Sequence, residues 1–388
     1  MAPVNGRPFL FYVINYLRSQ GIEKFIFSLG YKHEVVEAYL HAEFSTLDFQ
    51  CLNEKEPLGT GGAILASCYK TSEQTVLVVN GDTIFKVDVK AALRHHSNHH
   101  SDCTLLLKPM ENFDRYGVVE LNDDDSIKNF KEKQFYKEGL INGGAYILNT
   151  EQFLAEELPA TFSFEKDYLE KYFDTRKIYG VVQDEYFIDI GVPEDYLRVQ
   201  HELKKPELDL KDIDREWTLF LDRDGVINYE KKDDYIRNWQ EFTFYEGVKE
   251  ALQKISKRVG KIFIVSNQRG IGKELMTEED VNIIHQNMQN EIESAGGRID
   301  AIYYCTAVDP KNFYRKPNPG MAITAKRDFP EIDLDKAIIV GNKPSDMRFG
   351  KNAGMYSVYI ASTHPETPFP HPDIDLRFNS LSDFVKAL

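Results

Sequence analysis

Cysteine is scarce: the 388 residues hold only Cys51, Cys68, Cys103 and Cys305, and no two of them form a CxxC pair. That excludes a disulfide framework and a cysteine-built zinc knuckle, and it fits reduced thiols in a cytoplasmic protein. Long apolar runs are missing too. No window approaches the roughly 18 to 20 residues of a membrane span, so no membrane partner is expected. The first residues show no basic stretch followed by an apolar one, so no secretory leader is expected. Positive charge is in deficit, with 47 Lys and Arg against 62 Asp and Glu and a net charge of −15. This argues against nucleic acid or anionic membrane as partner. Small anionic substrates stay open, because a local phosphate site can be positive on an acidic protein. Internal repeats and low-complexity segments are absent, and nothing in the sequence sets the oligomeric state.

What is present is a globular balance of 42% hydrophobic and 28% charged residues. The length exceeds one ordinary core, so two domains are expected. Up to residue 203, the apolar runs Phe25–Leu29, Thr75–Val79 and Cys103–Leu107 read as buried strands. Amphipathic segments such as Phe9–Ser19 and Val87–His96 lie between them. A polar stretch, residues 204–216, has little to bury and reads as a linker. From 217 to 388 a second series follows, with strands at Trp217–Leu221, Lys261–Val265, Ala301–Cys305, Ala337–Val340 and Ser357–Ile360. The expected fold class is α/β, as two doubly wound, Rossmann-like domains.

The motifs of the second half sit at strand ends, where open α/β sheets bind ligands. The first strand runs into Asp222-Arg223-Asp224-Gly225. Asp222 can attack phosphorus to form an aspartyl-phosphate. Asp224 can protonate the leaving oxygen and then deprotonate water. Gly225 lets the chain turn away. The second strand ends in Ser266-Asn267-Gln268, which offers hydrogen bonds to a phosphoryl group. Arg315-Lys316-Pro317 brings positive charge to the phosphate. The fourth strand leads into Asn342-Lys343-Pro344-Ser345-Asp346, whose oxygens suit Mg²⁺ alongside Asp222 and Asp224.

This ordered set resembles the haloacid dehalogenase (HAD) superfamily over about residues 215 to 365. The wording Leu221 to Asn228, Ser266-Asn267-Gln268 and Arg315-Lys316-Pro317 is similar to the D-glycero-D-manno-heptose 1,7-bisphosphate phosphatases, with the histidinol-phosphate phosphatases as close relatives. The gaps from Asp222 to Ser266 and from Ser266 to Lys316 are too short for a large cap domain. Two departures stand out. Asn342 replaces the usual Asp, so metal affinity is expected to be lower. Many relatives carry a Cys/His zinc loop before Arg-Lys-Pro; here Cys305 is its one remnant, and no structural zinc is expected.

In the first half, Glu56-Pro57-Leu58-Gly59-Thr60-Gly61-Gly62 is a glycine-rich loop entering a helix, where backbone N–H groups can approach a nucleotide. Asn80-Gly81-Asp82-Thr83 puts a carboxylate at a strand end. With Glu132-Lys133, Asn142-Gly143-Gly144, Lys166 and Ile188-Asp189-Ile190-Gly191, the series resembles the sugar-1-phosphate nucleotidyltransferases, and most closely the D-glycero-α-D-manno-heptose 1-phosphate guanylyltransferases. The resemblance implies that Asp82 and Asp189 share a Mg²⁺ and that the loop of Glu56, Gly59 and Gly62 meets the base, with GTP as the nucleotide. It assigns Glu132, Lys133, Asn142, Gly143 and Lys166 to the sugar phosphate. That family opens with a strand, a GxGxRL-type phosphate loop and a Pro-Lys pair. The present sequence starts at Met1 to Leu10, which matches the segment just after the pair. The loop and the central first strand are therefore expected to lie outside the sequence as written, through truncation or a start placed at an internal Met. As written, the transferase is not expected to turn over.

Together the resemblances imply a phosphatase that removes the 7-phosphate of a heptose bisphosphate, fused to a domain that activates heptose 1-phosphate for surface glycans such as lipopolysaccharide. The alternative is a phosphatase for another small ester, such as histidinol phosphate, beside an inactive nucleotidyltransferase-like scaffold. Two features stay outside both readings. The histidines at 95, 96, 99 and 100 have i,i+4 metal spacing but sit near a helix end, where they can interact with terminal carbonyls. Asp123-Asp124-Asp125 reads as a hairpin turn.

Overall fold

The computed structural model describes residues 1–232 and 234–388. The chain divides into two compact units, a first within residues 1–205 and a second over Pro206–Leu388 together with the short segments Gly21–Glu23 and Ser45–Asp48. Among the described residues no helix is long and apolar enough to cross a membrane.

In the first unit, α1 (Phe9–Ser19) buries Phe9, Phe11, Val13, Ile14 and Leu17. The strands are β1 (Lys24–Leu29), β2 (Asp48–Asn53), β3 (Thr75–Val79), β4 (Thr83–Phe85), β5 (Cys103–Phe113), β6 (Val118–Leu121), β7 (Ile127–Lys131), β8 (Tyr136–Asn149), β9 (Ile178–Val182) and β10 (Phe187–Asp189). Helices α2 (Gly59–Cys68) and α3 (Val89–Asn98) intervene. The run Cys103 to Leu107 is wholly buried, because β5 is flanked by β9 on one side and β8 on the other. The sheet is mixed, which refines the doubly wound expectation. β8 runs antiparallel to β3, β5 and β6, while β9 is parallel to β5. The cause is the β6–β7 hairpin, which returns the chain beside β5 without a crossover helix. β1 pairs with β2 in a separate two-stranded sheet. Among the described residues nothing pairs with the second edge of β3 or of β1.

The second unit carries β11 (Thr218–Leu221), α4 (Val248–Ile255), β12 (Lys261–Asn267), α5 (Glu278–Ser294), β13 (Ala301–Cys305), α6 (Gly320–Asp328), β14 (Ala337–Gly341), α7 (Pro344–Asn352), β15 (Tyr356–Ile360) and β16 (Leu376–Phe378). Its sheet is parallel throughout, in the order β13-β12-β11-β14-β15-β16. Alternate residues feed two cores. Leu219, Leu221, Ile262, Ile264, Ile338 and Val340 pack on one face. Phe220, Phe263, Val265, Ala337 and Ile339 pack on the other. Coverage of both faces is why these strands read as unbroken apolar runs. The strand order reverses at β11, which makes the carboxyl end of β11 the crevice of the sheet.

The polar stretch 204–216 buries more than its composition suggests. Ile213 lies in the second unit's core, and Leu208 and Leu210 pack against it. The Arg258 side chain donates to the Leu210 and Ile213 carbonyls.

Candidate functional site

Because β11, β12, β13 and β14 are parallel, their carboxyl ends share one edge. Asp222 follows β11, Ser266 and Asn267 end β12, Lys316 lies on the loop from β13 to α6, and Asn342 follows β14. Among its described residues the segment between β11 and α4 holds one 3-10 turn, Trp239–Glu241, and isolated bridges of Asn228 with Asp224 and Phe244.

The centre of the site is a buried charge cluster. Lys316 is 3% exposed. Its Nζ lies 2.9 Å from Asp222 Oδ1 and 2.7 Å from Asp346 Oδ1, and donates to the Val265 carbonyl at 2.8 Å. Burial alone would lower the lysine's pKa, but the two carboxylates outweigh it and raise it. Burial pushes Asp222 up to about 7, with the charge of Asp346 acting in the same direction and Lys316 opposing it. The Arg223 backbone N–H donates to Asp222 Oδ1 at 2.8 Å. One oxygen of Asp222 is thus fixed by two donors.

Asp224 is held differently. Burial would raise its pKa, but the guanidinium of Arg223 and the amides of Asn228 and Gln268 keep it below the usual range. Arg223 Nη2 reaches both carboxylate oxygens, at 3.0 and 2.9 Å. Asn228 Nδ2 donates at 3.0 Å and Gln268 Nε2 at 3.1 Å. Arg223 is fully buried, and its Nη1 donates to His285 Nε2 at 3.1 Å. Burial, helped by the charge of Arg223, drops His285 to about 3, so the imidazole is neutral and accepts.

Two expected phosphate ligands do other work in this structure. Asn267 clamps the Lys316 backbone, accepting from its N–H and donating to its C=O, both at 3.0 Å. Arg315 donates to the Val308 carbonyl. Ser266 is buried and accepts from Gln268 Nε2 at 2.7 Å. Sequence reasoning missed Arg223 and Gln268 as partners of Asp224, and His285 as the partner of Arg223. Gln268 and Arg223 each lie inside a motif; His285 sits mid-helix on α5 with no local cue.

The donor set suits Mg²⁺. Asn342 is fully buried, its Nδ2 donates to Thr363 Oγ1 at 2.6 Å, and its Oδ1 has no hydrogen-bond partner. An orphaned carbonyl oxygen just past β14, the strand paired with the one that leads into Asp222, is the ligand type that a hard cation takes. Gly225 has φ +90°, and a Cβ there would come within 1.9 Å of Asn342 Nδ2, so only glycine fits. Cys305 is buried, with its Sγ 3.6 Å from Asn312 Oδ1.

In the first unit, β10 pairs with β4, and Asp189 lies opposite Thr83, the neighbour of Asp82. A Cβ on Gly191 would sit 3.0 Å from Asp189 Oδ1 and 3.9 Å from Asp82 Oδ2, so both carboxylates face that glycine. Tyr116 donates to Asp189 at 3.3 Å. The glycine-rich loop is close-packed on residues 160–162. A Cβ on Gly59, Gly61 or Gly62 would collide with Phe162 O, the Phe162 ring or Ala160 O. The Gly61 N–H is already given to Phe162 O at 3.0 Å. Glu56 lies just ahead of α2, and Glu132 and Lys133 occupy the turn between β7 and β8. Asn142 marks a register shift in β8, donates to Tyr146 Oη, and accepts from the Gly144 N–H. Tyr146 in turn donates to Glu165, one residue before the exposed Lys166. Gly143 admits the Phe85 ring, 2.4 Å from where its Cβ would be.

Residues 1–206 match the nucleotidyl transferase family, and residues 214–378 match the polynucleotide kinase 3 phosphatase family. The D-glycero-alpha-D-manno-heptose 1-phosphate guanylyltransferase of Aneurinibacillus thermoaerophilus is 48% identical over 204 residues, covering 53% of this chain and 88% of that protein. The D-glycero-alpha-D-manno-heptose-1,7-bisphosphate 7-phosphatase of Mycobacterium bovis is 34% identical over 174 residues, covering 45% of this chain and 92% of that protein. A crystal structure of HddC from Yersinia pseudotuberculosis complexed with GMP-PN is 33% identical, covers 53% of this chain and 89% of that one, and has a TM-score of 0.49. The chain belongs to the nucleotidyl transferase family through residues 1–206 and carries, fused to it, a HAD-like phosphatase domain of the family that includes the heptose-1,7-bisphosphate 7-phosphatases.

Proposed function

We propose that the second unit hydrolyses the 7-phosphate of D-glycero-D-manno-heptose 1,7-bisphosphate in the presence of Mg²⁺, and that the first is a heptose 1-phosphate guanylyltransferase-like domain for the product. The observation that carries the first part is the contrast between two carboxylates two residues apart. Asp222 is fixed through Oδ1 by Lys316 and a backbone N–H, which leaves Oδ2 to attack phosphorus. Asp224 is gripped by Arg223, Asn228 and Gln268. As Asp222 forms its bond to phosphorus, the sugar oxygen leaves and takes a proton from Asp224. Water then attacks the aspartyl-phosphate, gives its proton to Asp224, and phosphate departs with Asp222 restored. Asp224 starts this cycle protonated, and the negative charge of an incoming phosphate beside it raises its pKa toward that state. Lys316 neutralises charge on the transferring group. Mg²⁺, which HAD phosphatases and nucleotidyltransferases generally use, would be held by Asp222, Asn342 and Asp346 and supply further charge neutralisation.

For the first unit, the facing carboxylates of Asp82 and Asp189 support a metal on the nucleotide phosphates, with GTP as the nucleotide. Glu56, Gly59 and Gly62 lie toward the base, and Glu132, Lys133, Asn142, Gly143 and Lys166 toward the sugar phosphate. Removing the 7-phosphate leaves heptose 1-phosphate, the compound such a transferase activates, so the fusion joins consecutive steps of a cytoplasmic route to surface glycans. The named relatives of both halves carry the α configuration, which favours the α anomer.

Phosphate release by the full chain from heptose 1,7-bisphosphate, heptose 1-phosphate and histidinol phosphate, with Mg²⁺ and with EDTA, tests the phosphatase. Turnover is expected with the bisphosphate and Mg²⁺ only, and none in Asp222→Asn. Preferred turnover of histidinol phosphate would sink the sugar assignment. Pyrophosphate release from GTP and heptose 1-phosphate separates transfer from binding alone.

A further inference from the structure

The histidine cluster on α3 splits into two kinds. His96 turns inward and is 4% exposed, with Nδ1 2.9 Å from Thr104 Oγ1. His95 and His99, one helical turn apart, share a face. Their rings stack at 4.1 Å, and His99 lies 4.7 Å from the ring of Tyr179 on β9. His99 Nδ1 is 3.0 Å from the His95 carbonyl. A carbonyl only accepts, so the proton sits on Nδ1 and the Nε2 lone pair is free. That is the arrangement of a metal-ligating histidine whose other nitrogen is tied to the backbone. His95 Nδ1 is buried without a partner, which leaves Nε2 as its only open nitrogen. Nε2 lies 3.2 Å from Asp125 Oδ2. Asp125 is held from two sides, with φ 64°, its N–H on Asn122 O and its C=O accepting from Gly180 N–H.

The ligand atoms of His95, His99 and Asp125 all lie within 4.8 Å of one another. Tetrahedral ligands around zinc are about 3.3 Å apart, a separation that the His95–Asp125 pair already has. Two imidazoles and one carboxylate suit Zn²⁺, Co²⁺ or Ni²⁺ and not the all-oxygen preference of Mg²⁺ or Ca²⁺. We propose that His95, His99 and Asp125 form a His₂Asp site for a divalent transition-metal ion. It uses residues that neither candidate active site needs. A bound ion clasps the end of α3 to the β6–β7 hairpin, with one coordination position open to water. It is distinct from the zinc loop of relatives of the second unit, of which Cys305 is the one remnant here.

The test is Zn²⁺ calorimetry and Co²⁺ absorption on the EDTA-stripped full chain, with excess Mg²⁺ to occupy the carboxylate sites. Wild type should take up one Zn²⁺, show the intense visible band of tetrahedral Co²⁺, and melt higher with Zn²⁺. In His95→Ala/His99→Ala that uptake, band and shift should vanish while phosphatase turnover with Mg²⁺ is unchanged. Asp125→Asn, at a surface position that spares the fold, should weaken Zn²⁺ binding about tenfold or more. Equal stoichiometry and affinity in wild type and both variants would overturn the proposal, as would Zn²⁺ uptake that Mg²⁺ abolishes.

Discussion

The two units place their acidic residues by different means. In the second, a parallel sheet brings every strand end to one edge, so residues far apart in sequence meet without a dedicated scaffold. Lys316 touches both Asp222 and Asp346. In the first, an antiparallel β8 spreads the motif residues along strands and turns, and its glycines serve packing: Gly59, Gly61 and Gly62 each accommodate atoms of residues 160–162. Motif order along the chain therefore predicts contact well for parallel α/β topology and poorly for a mixed sheet.

The largest way to break this contrast is Lys316→Ala. It strands the buried carboxylates of Asp222 and Asp346 without the ion-pair partner they share. Stability of the metal-free protein should fall by about 3–5 kcal/mol in denaturant titration. Phosphatase turnover should drop at least about a hundredfold. Mg²⁺ should restore part of the stability and little of the activity; unchanged stability without metal would refute the charge cluster.

Next comes Gly225→Ala against Gly6→Ala. Both glycines have positive φ, but a Cβ at Gly225 meets Asn342, and one at Gly6 meets nothing within 4 Å. The first should cost about 1–3 kcal/mol from overpacking beyond the shared backbone strain, together with most of the activity. The second should show the strain alone. Equal costs would show that the Gly225–Asn342 contact carries no weight.

Asn342→Asp sharpens the metal reading. With Mg²⁺ present the added charge should tighten binding by about tenfold, roughly 1.4 kcal/mol, read as a lower half-saturating Mg²⁺ in the phosphatase assay. Without Mg²⁺ the same variant should be less stable than wild type, since a third carboxylate joins Asp222 and Asp346. Looser Mg²⁺ binding would contradict the role given to Asn342.

A separate effect, confined to the first unit, is a pH dependence. Burial lowers His96 from 6.5 to about 4, against a smaller opposing pull from Asp102. Between those values only the unfolded chain binds the proton, so stability is full above about pH 6.5 and is lost as pH falls toward 4. The loss should approach about 3 kcal/mol at pH 4. In His96→Gln this step should be missing from the difference between urea midpoints at pH 7 and pH 4.5.

Much of the second unit was legible because its strands are covered on both faces, and each announced itself as an apolar run ending in a polar motif. Less legible was anything set by tertiary neighbours. Ile213 hides in a polar stretch yet enters the core. Asn267 reads as a phosphate ligand but clamps the Lys316 backbone. His285 carries no motif and matters only because α5 brings it to Arg223. In the first unit the β6–β7 hairpin reverses β8, and local periodicity does not report strand direction. The pairing of Asp82 with Asp189 was expected from family likeness alone; in the structure both carboxylates lie near Gly191.

The central claim is that Asp222 is the nucleophile. Its most direct test is mass spectrometry of the peptide bearing Asp222 after acid quench of the full chain during turnover of heptose 1,7-bisphosphate. One phosphoryl group on Asp222, labile to hydroxylamine and absent from Asp222→Asn, is the predicted result. Turnover with the phosphoryl group on another residue, or undiminished turnover in Asp222→Asn, would contradict it.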